Sequence, residues 1–405
     1  MSVPFLLEIG TEEIPDWMIP GALESLRGLF EEALAKSSLH AEGIALDATP
    51  RRLVLRAAAL AERQADSEER LTGPAKSAPA KAVEGFARKL GVQPADLAVE
   101  ATVKGEYYTY VRKVAGRPTR EILAEALPGV ILRIPFPKTM YWAGKSGPRF
   151  IRPIRWLAAL LGGEVVPFEI AGVRSGNTTA GHRRLGAVAV PVTIEDYESR
   201  LAENFVMLSA AGRRKRIEDG IAVLGATVKP DPALLQTLTY LTEYPTPILG
   251  SFDPAFLQLP EEVLVTVMRH HQRYFSVAEP DGRLAPRFVA VMNTSADTEG
   301  LVRRGNERVL RARFNDARFF WDTDQQKKLA DRVPDLANVT FQARLGSYLQ
   351  KTERMVKLVE ELGGDEAARR AAWLSKADLT TELVKEFTEL QGVVDRKSTR
   401  LNSSH

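Results

Sequence analysis

The 405-residue chain contains no cysteine. Disulfides, zinc ribbons and thiol nucleophiles are therefore excluded. Histidine is scarce: His40, His182, His270, His271 and His405. No two of these have the H-x-x-x-H spacing that sets a pair of imidazoles on one helix face. His270 and His271 are adjacent, so they diverge on a helix or a strand. A protein-bound transition metal is not expected. Excess charge is also lacking: 55 basic and 52 acidic residues leave a net charge of +3. Any nucleic-acid role must then rest on local patches. Long apolar runs are absent too. Met1–Gly10 has no basic flank and meets Glu8 after a few apolar residues, unlike a secretory signal. Trp156–Leu161 falls far short of the roughly 18 residues that suggest a membrane span. A cytoplasmic protein without membrane contact is the expectation.

What the chain does have is clustered arginine. Arg303–Trp321 carries six arginines against Glu307 and Asp316. On a helix, Leu310, Phe314, Ala317 and Trp321 form one buried stripe. Arg308, Arg311 and Arg318 fall on another side. Arg304 joins them if the helix starts early enough, which Gly305 and a possible N-cap at Asn306 leave open. A second cluster, Arg213-Arg214-Lys215-Arg216, lies near a helix start, where cations oppose the helix dipole. Either cluster reads as an anion-binding face or as a solvated one. Gly181-His182-Arg183-Arg184 reads as a loop with a basic tip, His182 touching phosphate or standing idle at the surface. Arg51 and Arg52 precede a strand.

In chain order, Phe5–Ile9 reads as a buried strand, Ile19–Ala35 as a helix, and Ile44–Thr49 and Leu53–Ala57 as strands. Ala61–Lys81 is polar and reads as a mobile connection. Ala82–Leu90 is helical up to Gly91. Tyr107–Val111 is β-rich. Thr119–Leu127 is a helix ended by Pro128-Gly129. Trp156–Leu161 and Val165–Ile170 read as paired strands. Helices follow over Ile194–Phe205, from Gly212, over Pro232–Leu241, and from Pro260 to about His271. Thr246–Gly250 is strand-like. Arg273–Val277 and Phe288–Met292 flank the turn Glu279–Arg283. Beyond Asn293 nearly everything reads as helix, including Gln325–Arg332, Phe341–Leu362 and Glu366–Leu390. The expected class is α+β multidomain. An N-terminal α+β domain is placed at 1–155, a middle one at 156–297, and a helical region at 298–394. Residues 395–405 read as the translation of a sequencing-library adapter, so that native sequence stops near Val394 and the natural protein is longer.

Gly144-Lys145-Ser146 suggests a phosphate loop. The first glycine of that pattern is replaced by Thr139, and Pro148 stands where the helix should begin, so the match is rejected.

Several longer stretches resemble one family. Phe5–Pro15 (FLLEIGTEEIP), Thr49–Leu55 (TPRRLVL), Gly181–Arg183 (GHR), Gly305–Asp324 (GNERVLRARFNDARFFWDTD), Phe341–Arg354 (FQARLGSYLQKTER) and Leu374–Val394 (LSKADLTTELVKEFTELQGVV) occur in the order found in the β subunit of bacterial heterotetrameric glycyl-tRNA synthetase. The resemblance implies an α2β2 assembly that joins glycine to its tRNA with ATP and magnesium, through a glycyl-adenylate. It places the catalytic core on the α subunit. This chain would then bind tRNA, carry no catalytic residue and hold no cofactor of its own. It also implies that 298–394 begins an HD-like domain, with an anticodon-binding domain beyond.

Arginine forks suit RNA phosphates. The residues expected to face RNA are Arg213, Arg214, Lys215 and Arg216, then Arg304, Arg308, Arg311 and Arg318, with Arg51, Arg52, Arg183 and Arg184 as further candidates. The competing readings are a general RNA-binding or ribosome-associated protein, which the low net charge disfavours, and an ATP-using enzyme built on Lys145.

Overall fold

A computed structural model describes residues 1–102 and 105–394. The expected adapter tail lies outside the described residues. The chain divides into two compact units, the first Met1–Asn204 and the second beginning at Phe205.

The first unit is built on β1 (Ser2–Thr11), buried from Phe5 to Thr11. Burial on both faces explains its near-continuous apolar run. α1 (Ile19–Lys36) buries Ile19, Ala22, Leu26, Phe30 and Leu34 at helical spacing, and Phe30 stacks on Phe5 with centroids 5.3 Å apart. β2 (Ala41–Glu42), β3 (Ala45–Thr49) and β4 (Arg52–Ala61) follow, and β4 runs antiparallel to β1.

The next segment departs from expectation. β5 (Ser67–Ala75) occupies the middle of the expected mobile connection. It precedes α2 (Ala80–Leu90), β6 (Ala98–Thr102) and β7 (Gly105–Val114), and makes a separate antiparallel sheet in the order β5-β7-β6. β5 is an edge strand, largely exposed, so it carries no apolar alternation to betray it. α2 packs Val83 and Ala87 beside Leu97, Tyr108 and Tyr110. It stops at Gly91, whose φ of +72° suits glycine. α3 (Thr119–Leu132) runs through Pro128 rather than ending before it. Proline removes one amide donor, but the last turn buries Leu127, Val130 and Ile131, and that burial outweighs the loss.

β8 (Met140–Tyr141) and β9 (Arg149–Phe150) pair briefly. Gly144-Lys145-Ser146 lies in the turn between them, not between a strand and a helix. β10 (Ile154–Leu161) pairs antiparallel with β1, from Thr11↔Ile154 to Phe5↔Leu161. A domain boundary at 155 would cut this strand. β11 (Glu164–Val165), β12 (Glu169–Ile170) and β13 (Val173–Gly176) follow. The expected Val165–Ile170 strand is broken at Pro167, which cannot donate to a ladder. β13 runs parallel to β10, giving the order β12-β13-β10-β1-β4-β2. β14 (Thr178–Thr179), β15 (Val190–Pro191) and α4 (Tyr197–Glu203) complete the unit.

The second unit has a three-stranded antiparallel sheet covered on both faces. α5 (Ala210–Val223) and α6 (Pro232–Leu241) precede β16 (Pro245–Ser251). α7 (Glu261–Thr266) continues as a π-helix over Val267–Gln272. β17 (Phe275–Ala278) and β18 (Leu284–Asn293) form the expected hairpin, and α8 (Leu301–Gln325) follows. Successive residues of β18 serve opposite cores. Val289 packs with Ile217, Leu234 and Leu238 of α5 and α6. Phe288 and Ala290 pack with Leu310, Phe314 and Ala317 of α8. α8 therefore shares a core with the strands, and residue 297 separates nothing.

Beyond it come α9 (Leu329–Arg332), β19 (Thr340–Gln342), β20 (Gly346–Ser347), α10 (Tyr348–Glu361), α11 (Glu366–Leu374) and α12 (Glu382–Glu386). The region is helical except for the β19–β20 hairpin, which takes the place of the expected helix start at Phe341. Asp324 links the end of α8 to this region. Its carboxylate accepts from the backbone amides of Glu382 and Leu383 at 3.0 and 2.9 Å, and pairs with nearly buried Arg332. Among the described residues no helix is long and apolar enough to cross a membrane.

Candidate nucleic-acid interface

α8 begins earlier than Gly305 and Asn306 suggested. Gly300 adopts φ +65° at its start. The Asp297 carboxylate accepts from the amides of Val302 and Arg303 at 3.0 and 2.8 Å. Those bonds, the Arg303 amide foremost, hold the Asp297 carboxyl below its usual range against some desolvation. Arg304 therefore lies on the helix. Arg304, Arg308 and Arg311, spaced four and three residues apart, share one exposed side.

Leu310, Phe314 and Ala317 are fully buried, and Trp321 packs against the same core. Phe319 does not join them; it is 65% exposed, and Leu301 and Val309 are exposed as well. The outer face of α8 thus interleaves guanidinium groups with apolar side chains. Arg318 leaves this face. It donates to the Ala255 carbonyl at 2.8 Å and lies 4.4 Å from the Phe256 ring.

The Arg213–Arg216 cluster is divided by its helix. Each residue turns about 100° from the last, so four consecutive cations point four ways. Arg213 is fully buried and donates to the carbonyls of Thr239, Met207 and Leu208; it cannot face RNA. Arg216 donates to the Pro245 carbonyl and lies 4.2 Å over Tyr244. Arg214 pairs with Glu218 at 3.4 Å and Lys215 with Asp219 at 3.0 Å, one turn on.

In the first unit, Arg52 is fully buried and also cannot face RNA. It pairs with buried Glu8 at 3.1 Å and donates to Thr49, Thr179 and the Ala180 carbonyl. The same Glu8 oxygen accepts from Trp156 Nε1 at 2.9 Å and Thr179 Oγ1 at 2.7 Å. This network ties β1, β4, β10 and β14 together. Glu8, Trp156 and Thr179 were not singled out by the sequence, although an acid inside the run Phe5–Ile9 is the kind of residue that demands a partner. Arg51 is half-buried, donates to the Gly181 carbonyl and lies over Trp156.

Arg183 is exposed and pairs with Glu12 and Glu13; Arg184 is exposed. Glu12 also pairs with Arg155, and the Arg155 bond, then Arg183, lower its carboxyl's pKa against some desolvation. His182 is neither a phosphate contact nor a surface side chain. It is 2% exposed, and its Nδ1 accepts from the amides of Arg184 and Leu185. Among the described residues no three acidic or imidazole groups converge to hold a metal.

The family described as "Glycyl-tRNA synthetase beta subunit" matches residues 5–404. The glycine–tRNA ligase beta subunit of Acidobacterium capsulatum is 48% identical over 96% of this chain and 59% of its own length. Those of Syntrophotalea carbinolica and Moorella thermoacetica are 43% and 42% identical, over 98% and 97% of this chain and 60% of theirs. The chain spans about three-fifths of the length of these curated relatives. By this match, the chain belongs to the glycyl-tRNA synthetase beta subunit family.

Proposed function

We propose that this chain serves as the tRNA-gripping part of a two-subunit glycyl-tRNA synthetase. It binds tRNA(Gly), while a separate α subunit spends ATP, with magnesium, to place glycine on the 3′ end. The α subunit and tRNA are its partners in an α2β2 assembly, in the cytoplasm. The observation that carries the reading is the outer face of α8. Arg304, Arg308 and Arg311 stand exposed among Leu301, Val309 and Phe319 on a helix anchored by its opposite side. Guanidinium forks suit phosphates, and exposed apolar side chains suit unstacked bases. Family membership supports the choice of RNA.

The test mixes purified α subunit, full-length β subunit, ATP, glycine and tRNA. Charged tRNA is expected only with both subunits present, and this 405-residue chain should support little charging. Full charging by this chain alone would refute the division of labour. Equal binding to many unrelated RNAs, with no association with an α subunit, would favour a general RNA-binding protein.

A further inference from the structure

The first unit contains a cleft that the RNA reading does not use. It encloses about 640 Å³ beside β10, β13 and β14, within the roughly 300–1,000 Å³ typical of small-molecule sites. Arg51, Arg155 and Arg174 line it, and among the described residues no acidic side chain does. Thr178 adds a hydroxyl, while Trp156 and Val173 contribute apolar surface. The lining therefore combines cationic and apolar side chains.

The cations differ in how firmly they are held. Arg51 is half-buried, fixed by the Gly181 carbonyl at 3.3 Å and lying 5.4 Å over the Trp156 ring. Trp156 is itself fixed: its Nε1 donates to Glu8, and Gly10 lies so close that a Cβ there would meet the ring at 2.0 Å. Arg155 and Arg174 are the adaptable members. They pair with Glu12 at 2.7 Å and Glu169 at 3.0 Å, with side chains 58% and 86% exposed. Exposed pairs of this kind are weak and screened, so a phosphate can take the place of either carboxylate.

We propose that this cleft binds a nucleotide, with its phosphate held by Arg155 and Arg174 and its base on the remaining, partly apolar lining. A bare phosphate would leave most of the volume unfilled, and a neutral nucleoside would leave the arginines unserved. The nucleotide is either free or the unpaired end of an RNA strand. The inference goes beyond the α8 reading and does not depend on it.

Isothermal titration calorimetry of the full chain tests it, with adenosine monophosphate, adenosine, inorganic phosphate and a single-stranded oligoribonucleotide. Adenosine monophosphate should bind at one site, at least tenfold tighter than adenosine or phosphate. The double variant Arg155→Ala/Arg174→Ala should lose at least tenfold, with unchanged circular dichroism because both side chains are exposed. Arg308→Ala should keep the full affinity for the mononucleotide even where it weakens RNA binding, which separates this proposal from the α8 reading. Competition between oligoribonucleotide and mononucleotide identifies the RNA end as a source; mononucleotide binding that the oligoribonucleotide does not displace identifies the free nucleotide. Mononucleotide binding no tighter than phosphate, or undiminished in the double variant, overturns the proposal.

Discussion

Replacing Glu8 by alanine tests the account of the first unit most severely. Glu8 and Arg52 are both fully buried, 3.1 Å apart. Removing the carboxylate takes the Glu8 counter-charge from a buried guanidinium, and leaves Trp156 Nε1 and Thr179 Oγ1 without the acceptor they share. Breaking a buried pair from one side costs about 3–5 kcal/mol. In a unit of about 200 residues each kcal/mol lowers Tm by roughly 2–4 °C, so a fall of about 6–20 °C is expected. Thermal denaturation followed by circular dichroism measures it, with urea titration as a check on the free energy. Glu8→Met combined with Arg52→Met removes both charges at similar volume and should recover part of the loss, because paired removal is far milder than a single one. Recovery should be incomplete, since the Ala180 carbonyl and Thr49 lose their Arg52 donor. A Glu8→Ala protein within 1 kcal/mol of the parent would show that the pair is not the clamp described.

Two more outcomes follow from local geometry. Gly10→Ala sets a methyl group 2.0 Å from the Trp156 ring; overpacking of this kind costs about 1–3 kcal/mol, and the ring must leave Glu8 to make room. Urea unfolding should show the loss, and unchanged stability would mean that the ring is not confined. Asp378 is fully buried, and burial raises its carboxyl pKa despite the opposing Gly392 amide. The folded protein then keeps a proton that the unfolded chain releases above about pH 3.9, so stability falls as pH rises from there through the folded pKa. Asp378→Asn should remove that decline, and a variant with the parental pH dependence would refute the assignment.

The helical stripe of α8 was legible because the 3.6-residue period is written in one stretch: Leu310, Phe314 and Ala317 are where spacing alone puts them. Its first turn was not legible, because the cap comes from Asp297, several residues outside the basic run. Clusters of like charge were the weakest guide. Arg213 and Lys215 look alike in sequence, yet one is fully buried on carbonyls and the other lies on the surface. Arg51 and Arg52 differ for a related reason: only the second points into the network around Glu8, a partner 44 residues away. β5 escaped notice because an exposed edge strand needs pairing with β7 but little apolar patterning.

The central claim, that α8 grips RNA through its outer face, is tested most directly by the salt dependence of tRNA binding. Each lost phosphate contact lowers the slope of log affinity against log salt by roughly 0.7–0.9. Arg308→Ala combined with Arg311→Ala should lower the slope by about 1.4–1.8 on that basis and weaken binding at every salt concentration. A double variant with the parental affinity and the parental slope would show that these arginines are solvated charges and that the grip lies elsewhere.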